Sequence, residues 1–271
     1  MIADGLVTID GAPALKASTQ VAAHQQLNVQ RAPSRFVSRG GEKLAHALER
    51  FHLDVANVVA LDAGISTGGF TDCLLQHGAA RIVGYDVGYG QVHERLRSDP
   101  RVTVFERTNV RDLTVEDLPS PKPHVLVADL SFISLRLVLP VLLSLLDPVA
   151  QRFAVVLVKP QFEAARHEIA EGGVVDDPKV WRRCLRTVSA TVTQLGWRTC
   201  GLVASPLLGP AGNVEFLAYL RPIDANDATG SSAAAGRPNQ DQSDDQPDEV
   251  RVAALIEAAV TEGEQLAAGA G

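Results

Sequence analysis

From Asn57 onward, short apolar runs alternate with stretches whose apolar residues recur at helical spacing. The runs fall near 58–62, 81–86, 102–106, 124–129, 153–158, 199–204 and 213–220, and the helical patterns near 67–77, 91–98, 132–146 and 178–195. Runs apolar on both faces, separated by helices, predict a mostly parallel sheet covered on both sides. The last helix is the best signalled. Asp177-Pro178 opens it, Trp181, Leu185, Val188, Val192 and Leu195 line one face, and Gly196 stops it. The final two runs are joined around Gly209-Pro210-Ala211-Gly212, a link too short for a helical crossover, so they are expected to form an antiparallel hairpin.

The flanks behave differently. Residues 1–30 carry a short β pattern, Leu6-Val7-Thr8-Ile9, a turn at Asp10-Gly11, and Leu27-Asn28-Val29. Residues 31–37 read as a linker, and Ser38 as the cap of a helix running through Lys43, Leu44, Ala47, Leu48 and Phe51. The α/β domain then spans 38–222. Residues 223–248 are rich in Ala, Gly, Asn, Asp, Gln and Ser and lack apolar periodicity, so they read as a disordered linker. Residues 249–267 predict a short amphipathic helix through Val252, Leu255, Ile256, Ala259 and Val260, which packs back on the domain.

Charge changes the picture only once it is divided. The net charge is −7, but residues 222–271 hold ten acidic and two basic side chains, a balance of −8 that leaves +1 for residues 1–221. The near-neutral remainder neither demands nor excludes an anionic partner. The three cysteines, Cys73, Cys184 and Cys200, form no C-x-x-C pair and sit within apolar patterns; with no ligand spacing among the histidines, no metal site is expected. The greasiest segment, Leu135 to Leu146, contains Arg136 and Pro140 and is too short to span a bilayer. No secretory leader is evident. These features read as a soluble cytoplasmic protein with no membrane role.

Candidate chemistry lies where strands end, because ligands of open α/β sheets sit outside the carboxyl ends of the strands. The first run ends in Leu61-Asp62-Ala63-Gly64-Ile65-Ser66-Thr67-Gly68-Gly69-Phe70, a side-chain-poor turn that lets backbone approach a ligand and aims helix N-terminal amides at it. The second ends in Asp86, placed where nucleotide-binding folds keep a carboxylate for ribose hydroxyls. The glycine spacing is not G-x-G-x-x-G, and the acidic Asp62 suits a cationic ligand such as the sulfonium of S-adenosylmethionine. The fourth run ends in Asp129-Leu130-Ser131-Phe132, the fifth in Lys159-Pro160-Gln161-Phe162, and the last carries Asn213-Val214-Glu215. Asp129, Lys159 and Glu215 thus converge on one rim, with Lys43 on the entering helix. Any one such charge is an ordinary solvated strand end; three beside a glycine turn make a candidate site. A desolvated lysine can take the proton of a sugar hydroxyl, flanking carboxylates can orient it, and a second lysine can steady the developing alkoxide. Base methylation calls for other parts, a proline-rich acceptor loop or a cysteine nucleophile, and neither is present at these positions.

These motifs carry a resemblance. Ser38-Arg39-Gly40-Gly41-Glu42-Lys43-Leu44, the glycine turn, Asp86-Val87-Gly88-Tyr89-Gly90-Gln91, Arg107-Thr108-Asn109, Val127-Ala128-Asp129-Leu130-Ser131-Phe132-Ile133-Ser134, Val158-Lys159-Pro160-Gln161-Phe162-Glu163, Gly172-Gly173-Val174-Val175 and the stretch from Ser205-Pro206 to Glu215 resemble, in order, the TlyA family of ribosomal RNA 2′-O-methyltransferases, related to the FtsJ-like enzymes. The resemblance runs over about residues 1–221. It implies a Rossmann-like, S-adenosylmethionine-dependent methyltransferase with seven strands, the last antiparallel. It also implies a catalytic tetrad of Lys43, Asp129, Lys159 and Glu215, with cofactor contacts at Asp62, Gly64, Ser66, Gly69, Phe70, Asp86 and Asn109. The acceptor implied is the ribose 2′-hydroxyl of cytidine in 16S and 23S rRNA, and the partners ribosomal RNA or ribosomal subunits, met as a monomer. Family members begin with a ribosomal-protein-S-four-type RNA-binding module of two helices and a small β unit. The chain from Met1 is similar only to the end of the second helix and the β unit, which implies a partial module. The family is also labelled haemolysin, so an RNA- or membrane-binding lytic protein is the competing reading, and a small-molecule methyltransferase a third.

Overall fold

In the computed structural model, which describes residues 2, 6–16, 18–29, 34–148, 151–223 and 248–270, the chain divides into the units Met1–Arg35 and Phe36–Gly271. In the first, β1 (Val7–Ile9) pairs antiparallel with β2 (Ala12–Pro13) and with β3 (Leu27–Val29). Of the linker expected over 31–37, residues 31–33 lie outside the described residues. Phe36 and Val37 belong to the second unit, where Phe36 is buried in the core. The interior of the segment read as a disordered linker, 224–247, also lies outside the described residues.

The second unit is built on a seven-stranded sheet. In chain order its strands are β4 (Val59–Ala63), β5 (Arg81–Tyr85), β6 (Val102–Phe105), β7 (Val125–Ala128), β8 (Phe153–Val158), β9 (Trp197–Ala204) and β10 (Phe216–Pro222). They lie in the order β6-β5-β4-β7-β8-β10-β9, and only β10 runs against its neighbours. Strand alternation divides the core in two. Leu61, Leu126, Val156 and Phe216 face one layer, while Ala60, Val127, Val155 and Leu217 face the other.

Helices α1 (Gly40–Arg50) and α2 (Gly69–Gln76) cover the second layer; α4 (Leu135–Ser144) and α6 (Pro178–Gln194) cover the first. The short helices α3 (Glu94–Arg97) and α5 (Pro160–Glu163) stand at strand ends. In α1, Leu44, Ala47 and Leu48 form the buried stripe the sequence predicts. The expected cap is not made: Arg39, not Ser38, occupies the N-cap, and no side chain bonds there. In α6, Asp177 caps as expected, its Oδ1 accepting from the Lys179 amide at 2.8 Å. The helix expected from 132 begins only at Leu135, because Ser134 caps it and Glu163 accepts the Leu135 amide at 2.6 Å. The last strand begins at Phe216, not 213, because the Asn213 side chain bonds to the backbone of Gly173 and Val175. Helix α7 (Asp248–Gly269) buries Ile256, Ala259, Val260 and Gly263 against the same unit.

This topology places chemistry. β4, β5, β7 and β8 are parallel, so Asp62, Asp86, Asp129 and Lys159 lie at one end of the sheet. Because β10 runs antiparallel, with Phe216 opposite Val158, its beginning rather than its end reaches that rim. Glu215, just before β10, therefore joins residues that follow the parallel strands.

Candidate active site

The glycine turn depends on conformations other residues resist. Gly64 has φ +84°, and a Cβ there would stand 2.7 Å from the Asp129 carbonyl oxygen. A Cβ on Gly69 would stand 2.8 Å from the Gly41 amide nitrogen, so the N-terminal ends of α1 and α2 meet this closely only because Gly69 lacks a side chain; a Cβ on Gly41 would instead strike the Phe36 ring. Above the turn is a cavity of about 200 Å³ lined by residues including Ser38, Gly40, Lys43, Gly64, Ser66, Gly69, Phe70 and Asp129.

Two ion pairs bound this region. Lys43 Nζ donates to Glu215 Oε2 at 2.5 Å, with the Lys43 side chain 9 % exposed and that of Glu215 1 % exposed. Lys159 Nζ lies 2.6 Å from Asp129 Oδ1 and donates to Ser131 Oγ at 2.9 Å. The four charges predicted from the sequence thus form two pairs. Lys43 and Asp129 line the cavity, and Glu215 and Lys159 are their respective partners. Glu215 Oε1 is buried without a hydrogen-bond partner.

The residues expected at the cofactor fall into three groups. Gly64, Ser66, Gly69 and Phe70 line the cavity. Asp86 stands beside it, with Oδ2 accepting the Ser66 amide at 2.8 Å and Oδ1 the Gly88 amide at 2.7 Å, so it pins the glycine turn to the end of β5. Asp62 and Asn109 are elsewhere. Asn109 is exposed, and its Oδ1 accepts the Arg111 amide. Asp62 is wholly buried beneath the turn: Oδ2 accepts from Thr71 Oγ1 at 2.6 Å, and Oδ1 is buried without a partner.

Burial, reinforced by the charges of Asp129 and Asp86 and opposed by the Thr71 bonds, pushes the Asp62 carboxyl up to about 7. Folding therefore favours its neutral form. That contribution to stability is complete below the ordinary aspartate value of about 4 and is lost as pH rises through 7. Asp62→Asn is expected to flatten this part of the profile. Between pH 4 and 7 the ligand-free parent should lose more melting temperature than the variant, and parallel curves would refute the assignment.

Several residues the sequence reasoning passed over hold the site together. Glu163, buried, accepts from Ser134 Oγ and from the Leu135 amide, both at 2.6 Å, tying the Asp129 loop to the loop after Lys159. Its carboxyl is raised by burial. Asp72 accepts the Val37 amide and pairs with Arg95 at 2.6 Å. Phe132, three residues after Asp129, is 92 % exposed with φ +64° and its ring 5.3 Å from that of Phe162, and so offers an apolar face to solvent. These partners lie far apart in sequence, where no short spacing could reveal them, although Phe132 and Glu163 both fall within motifs that carry the resemblance.

Among the described residues no cluster of His, Cys, Asp or Glu could hold a metal ion, and no helix is long and apolar enough to cross a membrane. The profile of the FtsJ-like methyltransferase family matches residues 36–221. Over 222 residues, 82 % of each chain, the sequence is 49 % identical to the 16S/23S rRNA (cytidine-2′-O)-methyltransferase TlyA of Mycobacterium tuberculosis. It is 47 % identical to the candidate rRNA methyltransferase YqxC of Bacillus subtilis, over 72 % of this chain and 68 % of that one. The structure of a candidate hemolysin from Streptococcus thermophilus superposes with a TM-score of 0.73 at 34 % identity, covering 97 % of this chain and 89 % of that one.

Proposed function

Because the chain belongs to the TlyA family of FtsJ-like methyltransferases, we propose that it binds S-adenosylmethionine and methylates the ribose 2′-hydroxyl of cytidine in 16S and 23S ribosomal RNA. The observation that carries this reading is the pairing of two lysines with two carboxylates at one rim, beside a side-chain-poor turn. The residues present fit the cofactor. Gly40, Gly64 and Gly69 in the cavity wall leave room for a ligand, and Asp86 keeps lone pairs free for vicinal hydroxyls. Gly64, Ser66, Gly69 and Phe70 would hold it, with Asp86 at its ribose.

When bound, S-adenosylmethionine supplies the electrophilic methyl group. The protein supplies alignment and a path for the proton. Lys159, oriented between Asp129 and Ser131, takes the 2′-hydroxyl proton once its own ammonium proton has passed to solvent. Asp129 then steadies the ammonium that results. Lys43, fixed by Glu215, places a positive charge where the acceptor oxygen becomes negative. Phe132 offers a face on which a nucleobase can stack.

Calorimetry tests the binding half. The protein should bind S-adenosylmethionine and S-adenosylhomocysteine. Asp86→Ala should weaken both by about 10- to 100-fold, the equivalent of a charge-assisted hydrogen bond of about 1.5–3 kcal/mol. Binding of NAD in place of these ligands would overturn the reading.

A further inference from the structure

The family match ends at residue 221, yet α7, which lies beyond it, packs against the two neighbours of Glu215. β9 is the terminal strand of the sheet, and α7 is fastened along it to both helical layers. Arg182 of α6 holds Glu257 at 2.8 Å, and Arg50 of α1 holds Glu262 at 2.7 Å. The second carboxylate oxygen of Glu262 accepts the Ala204 amide at 3.1 Å. Ala204 is the β9 partner of Phe216, and the next residue, Ser205, donates its amide to the Glu215 carbonyl at 2.8 Å.

Gly263 makes the closest approach. A Cβ on it would stand 2.9 Å from Val214 Cγ1 and 3.4 Å from the Phe216 ring. These two residues flank Glu215. Val214 and Phe216 turn into the core that α7 shares, while Glu215 turns the other way to Lys43. Glycine inside a helix costs about 1 kcal/mol relative to alanine, so it needs a local reason. The reason here is the Val214 side chain, whose branched carbon has little freedom to move aside.

We propose that α7 is a positioning element of the methyl-transfer site, setting Glu215, and through it Lys43, by way of Gly263 and Glu262. Covering the edge of a sheet needs only a helix of suitable charge. The close seat on the two neighbours of Glu215 goes further, because it couples the position of α7 to that of one carboxylate. The inference rests on the role given to Glu215 above.

The test is Gly263→Ala in the full chain, assayed with labelled S-adenosylmethionine and ribosomal subunits. A displacement of a few tenths of an ångström at Val214 should lower kcat about tenfold, by analogy with the steep distance dependence of aligned reactions. KM for the subunit and affinity for S-adenosylhomocysteine should stay at parent values. Adding Val214→Ala removes the obstructing carbon, and the double variant should regain most of the lost turnover even though that change alone opens a cavity. If Gly263→Ala does not fold, Glu262→Ala reads the same link, and kcat should fall at constant KM. Parent kcat in whichever variant folds, or a double variant no faster than Gly263→Ala, would overturn the proposal. Glu215→Gln, assayed in parallel, separates the two ideas. Parent turnover in Glu215→Gln would refute the role of Glu215 itself, whereas loss there without loss in the α7 variants would refute only the coupling.

Discussion

Replacing Lys159 with alanine is expected to reduce methyl transfer by about 10²- to 10⁴-fold, the usual contribution of a positioned acid or base, with cofactor affinity close to that of the parent. The side chain touches Asp129 and Ser131, and it is absent from the cavity lining in which the glycine turn would hold the cofactor. Its loss therefore removes the proton acceptor while leaving the cradle whole. Asp129→Asn should be nearly as severe, because it deprives the lysine of its charged partner, and that variant should also keep its cofactor. Single-turnover kinetics with saturating ribosomal subunits is the measurement. Near-parent rates for Lys159→Ala would show that the 2′-hydroxyl is activated by another group.

The pair between Lys43 and Glu215 should show a different, larger effect on the fold. Both side chains are buried, and each is the other's counter-charge. Glu215→Ala leaves an ammonium in the interior without its partner, which costs about 3–5 kcal/mol. Removing both charges and filling the space, as in Lys43→Met with Glu215→Leu, should restore most of that stability, since a buried pair contributes little beyond an apolar packing of the same shape. Turnover should be lost in both proteins. Urea denaturation distinguishes the cases, and a double variant as unstable as Glu215→Ala would mean that the destabilisation comes from lost packing rather than from an uncompensated charge.

Much of the architecture was legible because parallel strands covered on both faces write themselves as uninterrupted apolar runs. Val125–Ala128 and Phe153–Val158 are such runs, and the residue after each, Asp129 and Lys159, lies on the ligand rim by topology alone. The short link at Gly209–Gly212 gave the reversal of β10, and that reversal carries Glu215 to the same rim. The insertion of β10 between β8 and β9 was not written in any periodicity, because strand order is set by packing between distant segments.

Near the site, the unreadable features are of one kind. Glu163 capping Leu135, Asp72 holding Val37 and Asn213 bridging Gly173 and Val175 are side-chain-to-backbone bonds across long sequence separations. Helix starts shift with them, which is why α4 opens at Leu135 rather than at 132 and why Phe132 is left in an exposed left-handed loop. The burial of Asp62 was equally hidden. A carboxylate opening a glycine turn reads as a ligand contact, while the fold places it under the turn and against Thr71.

The central claim is the transfer of a methyl group to a ribose oxygen, and mapping the product tests it most directly. The protein is incubated with S-adenosylmethionine labelled in the methyl group and with unmodified small and large ribosomal subunits, and the labelled nucleotide is located by nuclease digestion and mass spectrometry. The account predicts label on the 2′-oxygen of cytidine, absent with Lys159→Ala. Label on a base atom, or equal labelling by the parent and Lys159→Ala, would contradict it.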